Sequence, residues 1–142
     1  MDDRPHTAND CKKAVFLIKQ VLRMPFKFEK LEVWKMAIEI GDEVHTLTRA
    51  FPKEEMFSLT SQMKRAADSI SLNIAEGSTG QSDPEQVKFL GYSQRSALEV
   101  VNCLYLAIRR NYIDQLQFDS FYKKLETLVT KIQAFKNSIK KK

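Results

Sequence analysis

The chain has 142 residues, 43% of them hydrophobic and 29% charged, with four glycines and four prolines. That is about one domain's worth, and too poor in glycine and proline for a collagen-like, low-complexity or turn-rich all-β chain. Lys plus Arg total 23 against 18 for Asp plus Glu, a formal charge of +5, yet no acid follows Glu126. The chain up to Glu126 therefore balances, and the excess is Lys131, Lys136, Lys140, Lys141 and Lys142. A balanced body argues against one continuous nucleic-acid-binding surface, while the basic end could assist one.

No apolar run is long enough to span a bilayer, and no secretory signal pattern opens the chain. Cys11 and Cys103 do not make a disulfide framework. The expectation is a cytoplasmic protein with no membrane partner.

Residues 1–25 read as an N-terminal extension. They contain a short candidate helix over Cys11 to Leu22 with weakly patterned apolar positions. Met24 is an alternative start, so the extension is either non-native or an added helix. Residues 26–137 read as a helical bundle and 138–142 as a basic tail. The first bundle helix is predicted over Phe28 to Ala50, with Val33, Ala37, Ile40, Val44, Leu47 and Phe51 on one line, widened by Leu31, Trp34 and Ile38. Phe51-Pro52 stops it. The second runs from Ser58 to Glu76, with Leu59, Met63, Ala67, Ile70 and Ile74 inward and Gly77 closing it.

Ser82 or Asp83 caps the third helix, and Pro84 suits its first turn. This helix extends to about Asn111, a length of roughly 40 Å. One of its lines holds Leu90, Ala97 and Leu104, and a second holds Ser93, Ser96, Val100, Cys103 and Ala107. A third carries Gly91, Leu98, Tyr105 and Tyr112, and only Lys88, Arg95, Asn102 and Arg109 make a fully polar line. A helix apolar on most sides must be covered on most sides. Either another subunit packs against it or the N-terminal extension shields it. The fourth helix starts near Gln115 and runs to Phe135 or beyond, with Phe118, Phe121, Leu125, Leu128, Ile132, Phe135 and Ile139 spaced by threes and fours. Four such helices with short links predict an all-α, antiparallel up-down four-helix bundle, with a possible short extra N-terminal helix.

Chemistry-bearing constellations are scarce. His6 and His45 lie on different elements, and neither cysteine has metal-ligand spacing to them. Phosphate-cradling glycine loops, a nucleophile elbow and His-Glu-x-x-His are absent from the sequence. The expectation is a protein that is not an enzyme and takes no cofactor or metal. On the second helix Gln62, Arg65, Ser69, Asn73 and Glu76 share a face. They form either its solvated side or a hydrogen-bond network at a seam, since Ser and Asn are mediocre mid-helix residues.

The string Met63-Lys64-Arg65-Ala66-Ala67-Asp68-Ser69-Ile70-Ser71-Leu72-Asn73-Ile74-Ala75-Glu76-Gly77 resembles the signature of the four-helix-bundle proteins of 23S ribosomal RNA intervening sequences. Phe28-Glu29-Lys30-Leu31-Glu32-Val33-Trp34-Lys35, the Phe51-Pro52 turn, Phe89-Leu90 and Ser96 with Glu99 are similar to it as well. That family includes the accessory variability determinant of diversity-generating retroelements, a partner of a reverse transcriptase. The resemblance implies a non-catalytic homo-oligomer, a pentamer of bundles, with RNA, DNA or a nucleic-acid enzyme such as a reverse transcriptase as partner. It also implies a structural network of Arg65, Ser69, Asn73, Glu76, Ser96 and Glu99. The family loop is often basic where Gly80 and Gln81 stand here, which weakens that loop as an RNA contact.

Two functional readings follow. In the first, the oligomer is a nucleic-acid-associated accessory factor contacting phosphates through Lys64, Arg65, Lys88, Arg95, Arg109, Arg110, Lys123, Lys124, Lys136, Lys140, Lys141 and Lys142. The aromatic residues lie mostly on apolar lines, so a base-stacking platform is not evident. In the second, the protein is an interaction scaffold that touches no nucleic acid.

Overall fold

The computed structural model describes residues 8–23, 26–80 and 82–141. It contains the helices α1 (Ala8–Arg23), α2 (Glu32–Thr48), α3 (Leu59–Gly77), α4 (Asp83–Arg109) and α5 (Gln115–Lys140), with 3-10 turns at Lys27–Lys30 and Lys53–Glu55. The described residues include no strand. The all-α expectation holds, and α1 is the extra N-terminal helix. The alternative start at Met24 lies outside the described residues.

Helix α2 begins later than its periodicity suggests. The Glu29 carboxylate accepts the Phe26 N–H at 3.1 Å and closes a tight turn. Leu31 is then extended (φ −74°, ψ 124°), and helix resumes at Glu32. The Phe28 ring packs edge-on against Trp34 at 5.0 Å, which fixes the entry. Val33, Ala37, Ile40, Val44, Leu47 and Phe51 are all buried, as the spacing predicts, while Ile38 is exposed.

Ser58 does not cap α3. Its hydroxyl donates to Glu55 Oε2 at 2.9 Å, and the same oxygen accepts the Leu59 N–H at 3.2 Å. Glu55 thus supplies the acceptor that an N-cap side chain usually gives. The predicted line from Leu59 to Ile74 is fully buried. Ser82 caps α4, accepting the Glu85 N–H at 3.2 Å. At the other end Asn111 takes a positive φ of 60°. The Asn111 N–H reaches the Ile108 carbonyl and the Tyr112 N–H the Ala107 carbonyl, so the last turn closes as a Schellman motif. A capping box between Asp114 and Gln117 starts α5. Its helix continues through Lys140 with Ile139 only 4% exposed, so the expected basic tail at 138–142 is largely helical. The apolar repeat, which reaches Ile139, outweighs the local charge.

In the bundle α2 packs on α3 and α5, and α4 packs on α3 and α5; among the described residues the backbones of diagonal pairs stay farther apart. Cross-helix pairs run in opposite directions. Glu32 meets Lys131 and Glu43 meets Lys124 between α2 and α5. Gln94 meets Gln133 and Tyr105 meets Phe118 between α4 and α5. This is the order of antiparallel neighbours. Among the described residues the backbone of helix α1 approaches no other element closely, and its described side chains are exposed. It therefore does not shield α4.

Candidate interaction surfaces

Helices α3 and α4 form the most extensive contact in the fold. Small residues line it. Ser96 Oγ donates to Ser69 Oγ at 2.9 Å and lies 3.2 Å from the Tyr92 carbonyl oxygen. Asn73 Nδ2 donates to the Ser69 carbonyl at 2.9 Å and to its hydroxyl at 3.0 Å. The polar network therefore holds Ser69, Asn73 and Ser96. Arg65, Glu76 and Glu99 stay outside it, their side chains exposed and without a hydrogen bond or ion pair among the described residues. They point away from the seam that the two serines close. Gly77 is buried at the end of α3, and a Cβ there would stand 2.8 Å from Phe89 Cβ. Close approach to α4, not an unusual backbone angle, explains a glycine at this position.

The outer side of α4 and α5 carries an apolar patch. Leu98 is 60% exposed and Tyr105 49%. The Tyr105 ring meets Phe118 at 4.9 Å, and Phe118 meets Tyr122 at 5.8 Å. Three aromatic rings thus cluster at the surface, an arrangement hidden in the sequence because Tyr105 and Tyr122 come together only across the α4–α5 seam.

The predicted basic residues divide by their partners. Lys88 pairs with Glu85 at 3.4 Å, Arg110 with Glu55 at 3.7 Å, Lys123 with Glu126 at 3.9 Å and Lys124 with Glu43 at 2.6 Å. Lys136 Nζ is half-buried and donates to Gln94 Oε1 at 3.0 Å. Arg95 lies over the Tyr92 ring, 5.9 Å from its centroid. Lys64, Arg65, Arg95, Arg109, Lys140 and Lys141 have no carboxylate partner among the described residues. Lys142 lies outside those residues. The other eleven are spread over α3, α4 and α5 and the ends of the last two.

A different cationic group does converge. The loop between α2 and α3 folds over an open cleft of about 520 Å³, lined by His45, Arg49, Lys53 and Lys64 with Thr48 and Thr60. Sequence reasoning singled out only Lys64 here. The available signal was spacing: His45 and Arg49 are four apart on one helix, Thr60 and Lys64 four apart on the next, with the Phe51-Pro52 turn between. His45 Nε2 also lies 3.1 and 3.0 Å from the two Asp68 carboxylate oxygens, tying α2 to α3.

Burial pushes the Cys103 thiol above its usual range, and the charge of Glu99 adds to this. No group of three His, Cys, Asp or Glu side chains is placed to hold a metal ion among the described residues. None of their helices is long and apolar enough to cross a membrane.

Comparison with known proteins fits this architecture. Residues 29–134 match the family described as 23S rRNA-intervening sequence protein. The fold is similar to the crystal structure of a protein of unknown function from the S23 ribosomal protein family of Bacteroides thetaiotaomicron VPI-5482. The two are 23% identical with a TM-score of 0.68, over 73% of this chain and 97% of that one. No curated protein matches the chain. With the signature string on α3, the buried lines of α2 to α5 and a match over most of its length, the chain belongs to the 23S rRNA-intervening sequence protein family.

Proposed function

We propose that the protein is a homo-oligomeric accessory factor that works by binding rather than catalysis, with nucleic acid or a nucleic-acid enzyme as partner. The observation that carries self-association is the α4–α5 patch. Leu98 and Tyr105 lie seven residues apart on one helix face, with Tyr122 beside them, and α1 leaves all three uncovered. Exposed apolar surface of this kind suits a protein contact. Association with nucleic acid is supported by the formal charge of +5 and by the cations without carboxylate partners.

The scaffold reading draws on the surface ion pairs of Lys88, Arg110, Lys123 and Lys124, whose charges are met by carboxylates of the same chain. Light scattering of the purified protein, with and without a structured RNA at low salt, separates the two. A multimeric mass that rises with RNA supports the accessory factor; five copies is the number the family resemblance implies. A multimer indifferent to RNA favours the scaffold. A monomer that stays monomeric overturns self-association. Tyr105→Glu should reduce the mass by burying a charge in the contact.

A further inference from the structure

We infer that the cleft between the end of α2 and the start of α3 binds the phosphodiester backbone of a nucleic-acid strand. The inference rests on the reading of the protein as nucleic-acid-associated and assigns that contact to a site. Arg49, Lys53 and Lys64 reach the cleft from three different elements, α2's end, the 3-10 turn and α3, and no carboxylate lines it. The three make no ion pair among the described residues. The nearby acids are otherwise placed. Asp68 holds His45. Glu55 is spent on Ser58, Leu59, Tyr112 and Arg110. Glu54 is exposed on the 3-10 turn and does not line the cleft.

Three like charges gathered around one cleft repel each other unless an anion lies between them. Lining one cleft, they act on the same space and their fields add there. Thr60 offers a hydroxyl on the same wall, and Phe51 and Met56 form an apolar floor. The open-sided shape suits a strand passing through better than an enclosed small molecule. Next to Met56, Phe57 stands 92% exposed, with its ring free to receive an unpaired base. The outer cations Arg65, Arg95 and Arg109 lack this enclosure. A single-stranded segment is therefore the ligand the cleft fits best: phosphates between the three cations and a base on Phe57.

The experiment uses the full chain and a short fluorescently labelled single-stranded RNA, with the matching DNA as a second arm. Anisotropy is followed across a salt series. Arg49→Glu, Lys53→Glu and Lys64→Glu should each weaken binding about ten-fold and lower the salt slope by about 0.7–1. Phe57→Ala should weaken single strands by about five-fold or more and leave a duplex nearly unaffected. Arg95→Glu and Arg109→Glu, on the outer row of α4, serve as comparison. Lys53 is exposed in a turn, so its reversal keeps the fold, and circular dichroism checks the others.

If the cleft reversals bind normally while the α4 reversals lose affinity, the contact lies on α4; this proposal falls and the accessory reading stands. If inorganic phosphate displaces the RNA at equal phosphate concentration, the cleft is a free-anion site and the strand assignment falls. If neither RNA nor DNA binds at low salt, both the proposal and the nucleic-acid reading fall.

Discussion

Two glycine-to-alanine substitutions should move stability in opposite directions. At Gly41, inside α2, an added Cβ would lie 3.5 Å from Asp68 Oδ1 and 4.0 Å from the Ala67 carbonyl oxygen, ordinary contact distances. Nothing opposes the gain in helix propensity there, so Gly41→Ala should stabilise by about 0.5–1 kcal/mol. At Gly77 the added Cβ would stand 2.8 Å from Phe89 Cβ and 3.4 Å from the Gln86 carbonyl oxygen. Phe89 Cβ is fixed to the α4 backbone, so rotamer change cannot relieve the clash and the two helices must part. Overpacking of this kind costs about 1–3 kcal/mol. The position at the helix end returns less propensity than an interior one. The net expectation is a loss of about 1–2 kcal/mol, read as a fall in Tm of roughly 3–8 °C for a domain of this size. Thermal and urea melts followed by helical circular dichroism measure both variants. If Gly77→Ala raised Tm as Gly41→Ala does, the close approach of α3 to α4 would not be the reason for glycine at that position.

Four further outcomes can be checked. The Glu55 carboxyl is held below its usual range, chiefly by the Ser58 hydroxyl hydrogen bond, with the Leu59 N–H, Tyr112 and Arg110 also contributing and burial opposing. A depressed folded-state value gives stability that is present above the unfolded value, near 4.5, and is lost as pH falls through the folded one. Stability curves of wild type and Glu55→Gln should therefore be well separated at neutral pH and converge in acid; a constant gap would remove the carboxylate's ionisation from the account. Asn73→Ala should cost about 0.5–1.5 kcal/mol through loss of its bonds to Ser69, and an unchanged Tm would mean the network is idle. Leu125→Ala, at a fully buried α5 position, should cost about 2–5 kcal/mol in urea denaturation. Removal of residues 1–23 should leave Tm unchanged, because among the described residues the backbone of α1 approaches no other element closely; a clear fall would show that α1 packs on the body in solution.

The bundle was legible because its apolar spacing is redundant. On α3 and α5 every third or fourth residue agrees with the next, from Leu59 to Ile74 and from Phe121 to Ile139, and most of these side chains are buried. The same repeat carries α5 through residues read as tail. The boundaries were less legible because they depend on short-range acceptors that periodicity does not see. Glu29 turns the chain at Phe26, and Glu55 displaces Ser58 as the cap of α3. The polar network was half legible. Ser69, Asn73 and Ser96 lie on the inner edge of the α3–α4 seam, and Arg65, Glu76 and Glu99 lie a fraction of a turn outward, a distinction that a residue line on one helix does not resolve. The aromatic cluster and the cationic cleft are set by register between helices, and a residue list carries no register.

Charge shows the cost of that missing register most directly. The balance of acids and bases up to Glu126 suggests a body with no preferred anionic partner. Folding spends the balance unevenly. Lys124 and Lys131 of α5 lie against Glu43 and Glu32 of α2, and Arg110 lies against Glu55. Such exposed pairs add little to stability. Their larger effect is on the field, because each pair cancels within a few ångströms while an unpaired cation is felt out to about a Debye length. Carboxylates consumed along the α2–α5 seam are not available at the α2–α3 end, where Arg49, Lys53 and Lys64 surround a cleft that no carboxylate lines. A neutral sum can thus hold a local positive site, made by where the acids are used.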